Sequence, residues 1–246
     1  MTTVPLVAPV RRERSKTFRR FTANRLGVFG LIVVVLLSMV ALLAPFIAPF
    51  DPAKQNFSAL LQPASATHWL GTDELGRDTL TRVMYGARIS LSAGLVSVAL
   101  ALLAGTLLGL IAGFVGGWLD ELIGRFIDAL LAFPFLILAI TLAAILGPSL
   151  QNTMLAIAIV TTPAFARVTR AQVLAQRELE YVQAAGALGA GHWRTLLRHI
   201  LPNISGALIV QTSLAIAEAV LAENAGRPPS SPPLSYAMRP RTPYLD

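Results

Sequence analysis

Cysteine is absent from the 246 residues, which excludes disulfides, thiolate-held zinc and thiol chemistry, and leaves the redox compartment unread. Lysine is nearly absent too. The two that occur, Lys16 and Lys54, follow Ser15 and Ala53, whereas the phosphate-binding loop of a nucleotide hydrolase needs lysine directly after glycine. Any ATP that drives this chain is therefore expected to be hydrolysed by another subunit. His68, His192 and His199 are scattered and lack metal-ligand spacing, so no catalytic, metal or cofactor-binding residues are expected. Charge is scarce as well: 13% of residues are charged against 54% hydrophobic, and the mean hydropathy is +0.64. That balance is wrong for a soluble domain and points to the bilayer.

A hydrocarbon core of about 30 Å takes about 20 helical residues, and charge-free windows of that length are present. Leu26 to Phe50 is the first, closing on Ala44-Pro45 and Ala48-Pro49, where proline ends a helix. Ile89 to Leu119 is the second. Ala129 to Ala166 is too long for one crossing, and Gly147-Pro148-Ser149 with Gln151-Asn152 interrupts it, so it reads as two spans joined by a tight outer turn. Ile204 to Ala222, which carries Gln211 and Glu218, is the fifth and weakest. The expected fold is all-α, a polytopic membrane bundle of about five helices. The first window is too long for a secretory signal core and is followed by further spans, so it is an uncleaved anchor.

Arg11, Arg12, Arg14, Lys16, Arg19, Arg20 and Arg25 face only Glu13 before the first span, which places the N-terminus in the cytoplasm. Residues 51–88 balance Lys54, Arg77, Arg82 and Arg88 against Asp51, Asp73, Glu74 and Asp78, as an extracytoplasmic loop should. Residues 167–203 then fall inside, with Arg167, Arg170, Arg177, Arg194 and Arg198 exceeding Glu178 and Glu180. The net charge of +7 is thus a topology signal, and nucleic-acid binding finds no support. The chain divides into a basic segment 1–25, a first helix 26–50, the loop 51–88, a transmembrane domain 89–223 that includes the inner loop 167–203, and a tail 224–246.

The inner loop reads as helix, turn, helix, stop. Residues 177–188 suit a helix, Gly189-Ala190-Gly191 breaks it, Trp193 to Ile200 form a second amphipathic helix, and Pro202 ends that one. Ala184, Ala185 and Gly189 would let another backbone come close, while Tyr181, Trp193 and Leu197 offer apolar anchors. The run Gln183-Ala184-Ala185, then Gly189, then Ile200-Leu201-Pro202 resembles the coupling loop of ABC-importer permeases. Gln183 stands where that family has Glu, and Gly186 where a charge is common.

Two further stretches resemble the dipeptide, oligopeptide and nickel permeases of the same class. One is Leu70-Gly-Thr-Asp73, Leu75-Gly-Arg-Asp78 and Gly86-Ala-Arg-Ile-Ser-Leu91; the other runs from Ala112-Gly-Phe-Val-Gly-Gly-Trp-Leu-Asp120 through Arg125-Phe-Ile-Asp128 to Leu131-Ala-Phe-Pro134. The charges of the first suit local pairing that orders the loop rather than substrate contact. Gly105, Gly109 and Gly113 form a small-residue face suited to close helix packing. The resemblance implies a C-type permease subunit in the cell inner membrane. It also implies a second permease subunit, two ATP-binding cassette ATPase subunits that dock on the coupling loop, and an extracytoplasmic solute-binding protein. Di- or oligopeptide is the implied cargo, with no substrate-binding residues assignable. An ion-coupled secondary transporter and a non-transporting membrane scaffold are the alternatives.

The family type has six spans, whereas Asn224 to Asp246 carries six prolines and three arginines and cannot cross a membrane. The expectation is a permease truncated or frame-shifted near Glu223. A topology reporter fused after Asp246 should read outside if five spans insert; a cytoplasmic signal refutes that count.

Overall fold

The computed structural model describes residues 23–147 and 149–225; the basic segment before residue 23 and the tail after residue 225 lie outside the described residues. Among those described, helices account for nearly all regular structure, with one isolated bridge between Thr72 and Asp78. The chain forms two compact units, residues 1–89 and 90–246.

The first unit carries helix α1, Arg25–Ile47, whose 23 residues rise about 35 Å, enough to cross a bilayer. Its start is set by Asn24, which accepts a hydrogen bond from the Gly27 N–H at 3.2 Å, a standard N-cap. Apolar side chains surround it on every side, and only Ala41 and Ala44 are buried. Such a helix gains little from its own fold and belongs in lipid. Residues 51–78 form a folded loop with one 3₁₀ turn, Phe57–Ala59.

Helix α2, Thr79–Val115, starts well before the apolar window at Ile89 because Asp78 caps it, accepting from the Thr81 N–H at 2.8 Å. It stops at Gly116 and Gly117, both in the left-handed region with φ of 70° and 62°, a conformation glycine alone adopts without cost. Helix α3, Gly117–Leu131, and helix α4, Phe135–Leu146, follow. Ala132 to Pro134 separates them with a bend of 93°. Proline lacks the amide that would continue the helix and disfavours helical geometry in the residue before it. The third expected span, from Ala129, is therefore present as part of a broken pair, α3 and α4, which together pass as one candidate span. The 12 residues of α4 rise about 18 Å, so this candidate crossing draws on the residues that flank the helix as well.

The turn expected around residue 147 is present. Gly147 has φ 92°, Ser149 caps helix α5, Leu150–Arg177, by accepting from the Asn152 N–H at 3.0 Å, and Asn152 Nδ2 donates back to the Leu146 carbonyl at 2.6 Å. One side chain therefore ties the end of α4 to the start of α5. Helix α6 spans Glu180–Ala187 and α7 His192–Thr195; a π-helical turn, Leu196–Ile200, leads without interruption into α8, Leu201–Ala225. Two expectations change here. The first hairpin helix begins at Glu180 rather than at residue 177, since Arg177 ends α5 and turns its guanidinium to the Gly113 carbonyl at 3.2 Å. Pro202 does not end the second helix. The π turn shifts the pairing, so that the Leu201 amide bonds the Leu196 carbonyl, and Pro202 falls in the first turn of α8, where proline is tolerated; Asn203 Nδ2 donates to the His199 carbonyl at 2.7 Å.

The second unit is organised around α5. Phe165, Ile157 and Val173 are fully buried there, beside Ile200 and Ile204 from the π turn and α8. The closest approach is to α2. A Cβ built on Gly105 would lie 2.5 Å from Phe165 Cβ and 2.6 Å from the Thr162 carbonyl; on Gly109, 2.5 Å from Thr169 Cβ; on Gly113, 2.9 Å from Val173 Cβ. Glycines every fourth residue of α2 thus face side chains every fourth residue of α5, the small-residue packing that close membrane helices use. Valine at Gly109 would have to push the backbone of α5 away, an overpacking cost of about 1–3 kcal/mol or more. Gly109→Val is expected to lower the thermal midpoint of the detergent-purified protein, whereas Gly124→Ala, where nothing lies within 4 Å of an added Cβ, should hold or slightly raise it, since alanine favours a helix interior over glycine.

Candidate docking hairpin and the 51–78 loop

Helices α6 and α7 form a short hairpin between α5 and α8, and its turn rests on one residue. The Gly189 N–H bonds the Gly186 carbonyl at 2.9 Å, the Ala190 N–H bonds the Ala185 carbonyl at 3.0 Å, and Gly189 has φ 83°. This is a Schellman cap, which requires a left-handed residue at that position. Glycine at position 189 is therefore needed for the turn itself, and nothing lies within 4 Å of where its Cβ would be.

The base of the hairpin is tied down by Tyr181, whose hydroxyl donates to Gln176 Oε1 at 2.6 Å and accepts from Asn203 Nδ2 at 3.0 Å. One phenol thus links the end of α5, α6 and the start of α8. Gln183 Nε2 reaches the Glu178 carbonyl at 3.2 Å. Beneath the surface, Val182, Leu196 and Ile200 join the core.

The predicted docking residues divide by exposure. Tyr181, Gln183, Ala184, Gly189, Trp193, Leu197 and Pro202 are exposed, and Ala185 and Leu201 are half-buried. Ile200 is fully buried and cannot touch a partner, which corrects its place in the set: the π turn rotates it into the core. Sequence reasoning missed Leu188, which stands 89% exposed just before the turn, an apolar side chain at the tip. Its position beside the glycine was the available signal, since a residue preceding a Schellman glycine ends the helix and points outward. Trp193 and Leu197, one turn apart, are 66% and 56% exposed. Arg194 and Arg198 flank them, both exposed. The hairpin therefore presents three large apolar side chains framed by two cations, the composition of a surface that buries its anchors against another protein.

The 51–78 loop is held from within. Asp73 accepts from the Leu75 and Arg77 N–H groups, both at 2.9 Å, and from Arg77 Nε at 2.8 Å, and it also pairs with Arg82. Asp78 accepts from His68 Nδ1 at 3.0 Å besides capping α2, and the His68 ring lies 4.8 Å from that of Phe50. Gly71 and Gly76 are left-handed, and an added Cβ would strike the carbonyls of Gln62 and Asn56 at 2.4 and 1.8 Å. Gly71, Asp73, Gly76, Arg77 and Asp78 thus close the loop on itself, in keeping with a structural role for these two carboxylates.

Residues 105–226 match the model of the binding-protein-dependent transport system inner membrane component, and residues 15–64 match that of the N-terminal TM domain of oligopeptide transport permease C. The dipeptide transport system permease protein of Alkalihalophilus pseudofirmus is 47% identical over 206 residues, covering 84% of this chain and 68% of that one. The di/tripeptide transport system permease protein of Pseudomonas aeruginosa is 45% identical over 210 residues, covering 83% and 69%. The glutathione transport system permease protein of Pectobacterium atrosepticum is 38% identical over 224 residues, covering 90% and 74%.

Burial raises the pKa of Asp73, but the backbone bonds from Arg77 and Leu75 and the Arg77 guanidinium together outweigh it, leaving the carboxyl at about 2 against an ordinary 3.8. A folded-state pKa below the unfolded one stabilises above the unfolded value, and that stabilisation is lost as pH falls through the folded value. Hydrogen-exchange protection of the Leu75 and Arg77 amides should hold near neutrality and collapse between about pH 4 and about pH 2. Protection already gone above about pH 5 would count against the Asp73 hub.

Proposed function

The chain belongs to the binding-protein-dependent transport system inner membrane components, and on that premise we propose that it is the C-type permease subunit of an ATP-driven importer of dipeptides. It is a multi-pass inner-membrane protein and a transport subunit rather than an enzyme, with ATP hydrolysed by partner subunits. Dipeptide as cargo rests on the names of its relatives, of which the glutathione permease is the more distant in sequence.

The observation that carries the coupling role is the exposed hairpin. A rigid turn, capped at Gly189 and braced by Tyr181, holds Leu188, Trp193 and Leu197 outward. Its two ends are continuous with α5 and α8, two long helices of the transmembrane domain. A push received at the tip would pass directly into those helices, because packed helices shift as rigid bodies rather than deform. The reading therefore assigns this hairpin as the seat of an ATPase subunit, the N-terminus to the cytoplasm on the hairpin's side, and the 51–78 loop to the opposite side, where a solute-binding protein would deliver cargo. A second permease subunit completes the pathway, and the second of two ATPase subunits docks on it.

Copurification tests the docking. ATPase subunits should accompany the wild-type chain and be lost with Gly189→Glu, which both adds charge and strains the left-handed cap. Trp193→Ala leaves the cap intact and removes an anchor worth about 2 kcal/mol, a roughly 30-fold loss of affinity. Full retention of the ATPase subunits by both variants would refute the docking site.

A further inference from the structure

Helix α3 is two-faced in a way that the docking hairpin does not use. At about 100° per residue, Trp118, Leu122 and Phe126 fall along one edge of the helix, and they are 71%, 57% and 60% exposed. Asp120 and Asp128 occupy a different arc and are met by α5, while Glu121 pairs with Arg125 on α3 itself. Asp120 is held by both the Nε and Nη2 groups of Arg170, the latter at 2.7 Å, and Asp128 accepts from Arg167 Nη2 at 2.6 Å. The groove between these charges, about 270 Å³, is lined by three carboxylates and three guanidinia, so it is balanced and attracts neither ion class.

Those ion pairs fix a depth. Counting from Leu150 at the start of α5, about 30 Å of helical rise reaches Arg170, the thickness of the hydrocarbon core. Arg167 lies one turn short of that level. Whatever pairs with them lies at the same level, at the hairpin end of the bilayer. Helix α3 pairs with both through residues two turns apart, so it runs along that level rather than through it. Its 93° bend to α4 agrees, since α4 heads into the core. Past Asp128, which is exposed but turned to Arg167, the exposed apolar residues of α3 are followed across the bend by Leu131, Phe133, Leu136 and Ile137, all exposed. Two observations of different kind, the depth of the arginines and the continuity with a lipid-length apolar surface, therefore name the same occupant.

We infer that α3 is an interfacial helix that lies in the leaflet on the hairpin's side, its Trp118, Leu122 and Phe126 edge sunk into the boundary between headgroups and acyl chains. Amphipathic helices with an apolar edge of this kind bury it about 5–10 Å deep, and tryptophan favours that level. Arg125, at the border of the apolar edge and ion-paired to Glu121 at 2.5 Å, extends to the headgroups as long basic side chains do. The lipid contact is independent of lipid charge, because the charges of α3 are paired, Asp120 and Asp128 with α5 and Glu121 with Arg125. The inference rests on the reading of α5 as a membrane span, and its test separates the two.

Trp118 is one of three tryptophans, so Trp69→Phe with Trp193→Phe leaves it as the sole reporter. The full chain would be reconstituted in phosphatidylcholine vesicles brominated either near the carbonyls or near the acyl ends. Shallow bromines should quench Trp118 roughly twice as strongly as deep ones, and aqueous iodide should quench it weakly. Phe126→Trp in a background with all three native tryptophans changed to Phe should report the same depth. Leu36→Trp in that background, mid-span in α1, controls for insertion and should be quenched best by deep bromines. If it is, and Trp118 and Phe126→Trp are quenched best by deep bromines, α3 crosses the bilayer; if neither is quenched by any bromolipid, protein or water covers that edge. Either result overturns the inference while leaving the membrane reading in place, whereas a Leu36→Trp reporter untouched by every bromolipid overturns both.

Discussion

The second unit depends on how closely α2 and α5 approach. Gly105, Gly109 and Gly113 leave no side chain between the two backbones, and Phe165, Thr169 and Val173 fill the space. In a bilayer, apolar side chains gain nothing from leaving lipid, so helices associate through tight van der Waals contact rather than through the hydrophobic effect. The glycine ridge supplies that contact. It brings the end of α2 to Arg177, whose guanidinium bonds the Gly113 carbonyl, a favourable place for a cation at a helix C-terminus. The same helix α5 then carries the arginines that hold α3 and the chain that enters the hairpin. Loosening the ridge would disturb all three at once.

From that ridge outward, the described ion pairs of α5 gather toward its hairpin end. Arg167, Arg170 and Arg177 occupy the last third of α5 and meet Asp128, Asp120 and a helix terminus respectively. Pairs such as the exposed Arg167–Asp128 contribute little to stability in water. Their effect here is positional: they set the level at which α3 leaves α2 and the level from which the hairpin projects. The hairpin is stiff for a different reason, because its turn is a hydrogen-bonded cap and its base is pinned by a phenol bridging α5 and α8. Stiffness of this kind suits the coupling role proposed for the hairpin.

Much of this was legible beforehand, residue by residue. The glycine face of α2, the turn at Gly147, the break at Gly189 and the self-contained loop around Asp73 and Asp78 all follow from what glycine, asparagine and aspartate do to a backbone. That Tyr181, Trp193 and Leu197 stand exposed on the hairpin was also readable, from helical spacing alone. Three features were not. Pro202 has the local meaning of a stop, but a π turn runs into α8 ahead of it and leaves the proline in that helix's first turn. Ala129 to Leu146 has the composition of a span, but Pro134 bends it through a right angle. Ile200 sits among docking residues in the sequence and yet belongs to the core, since the wider π turn changes which way it points.

The sequence by itself determined that this chain lives in a bilayer, where its long apolar helices lie, and which glycines its turns require. Those are properties of single residues and of their spacing, set by transfer free energy and by allowed backbone angles. Only the tertiary structure decided which charges pair across helices, how deep α3 lies, and which side of the hairpin is free. Each of these depends on the rotation of one helix against another, and that rotation is set by the contact between α2 and α5, by a bend at one proline and by one extra residue in a helical turn.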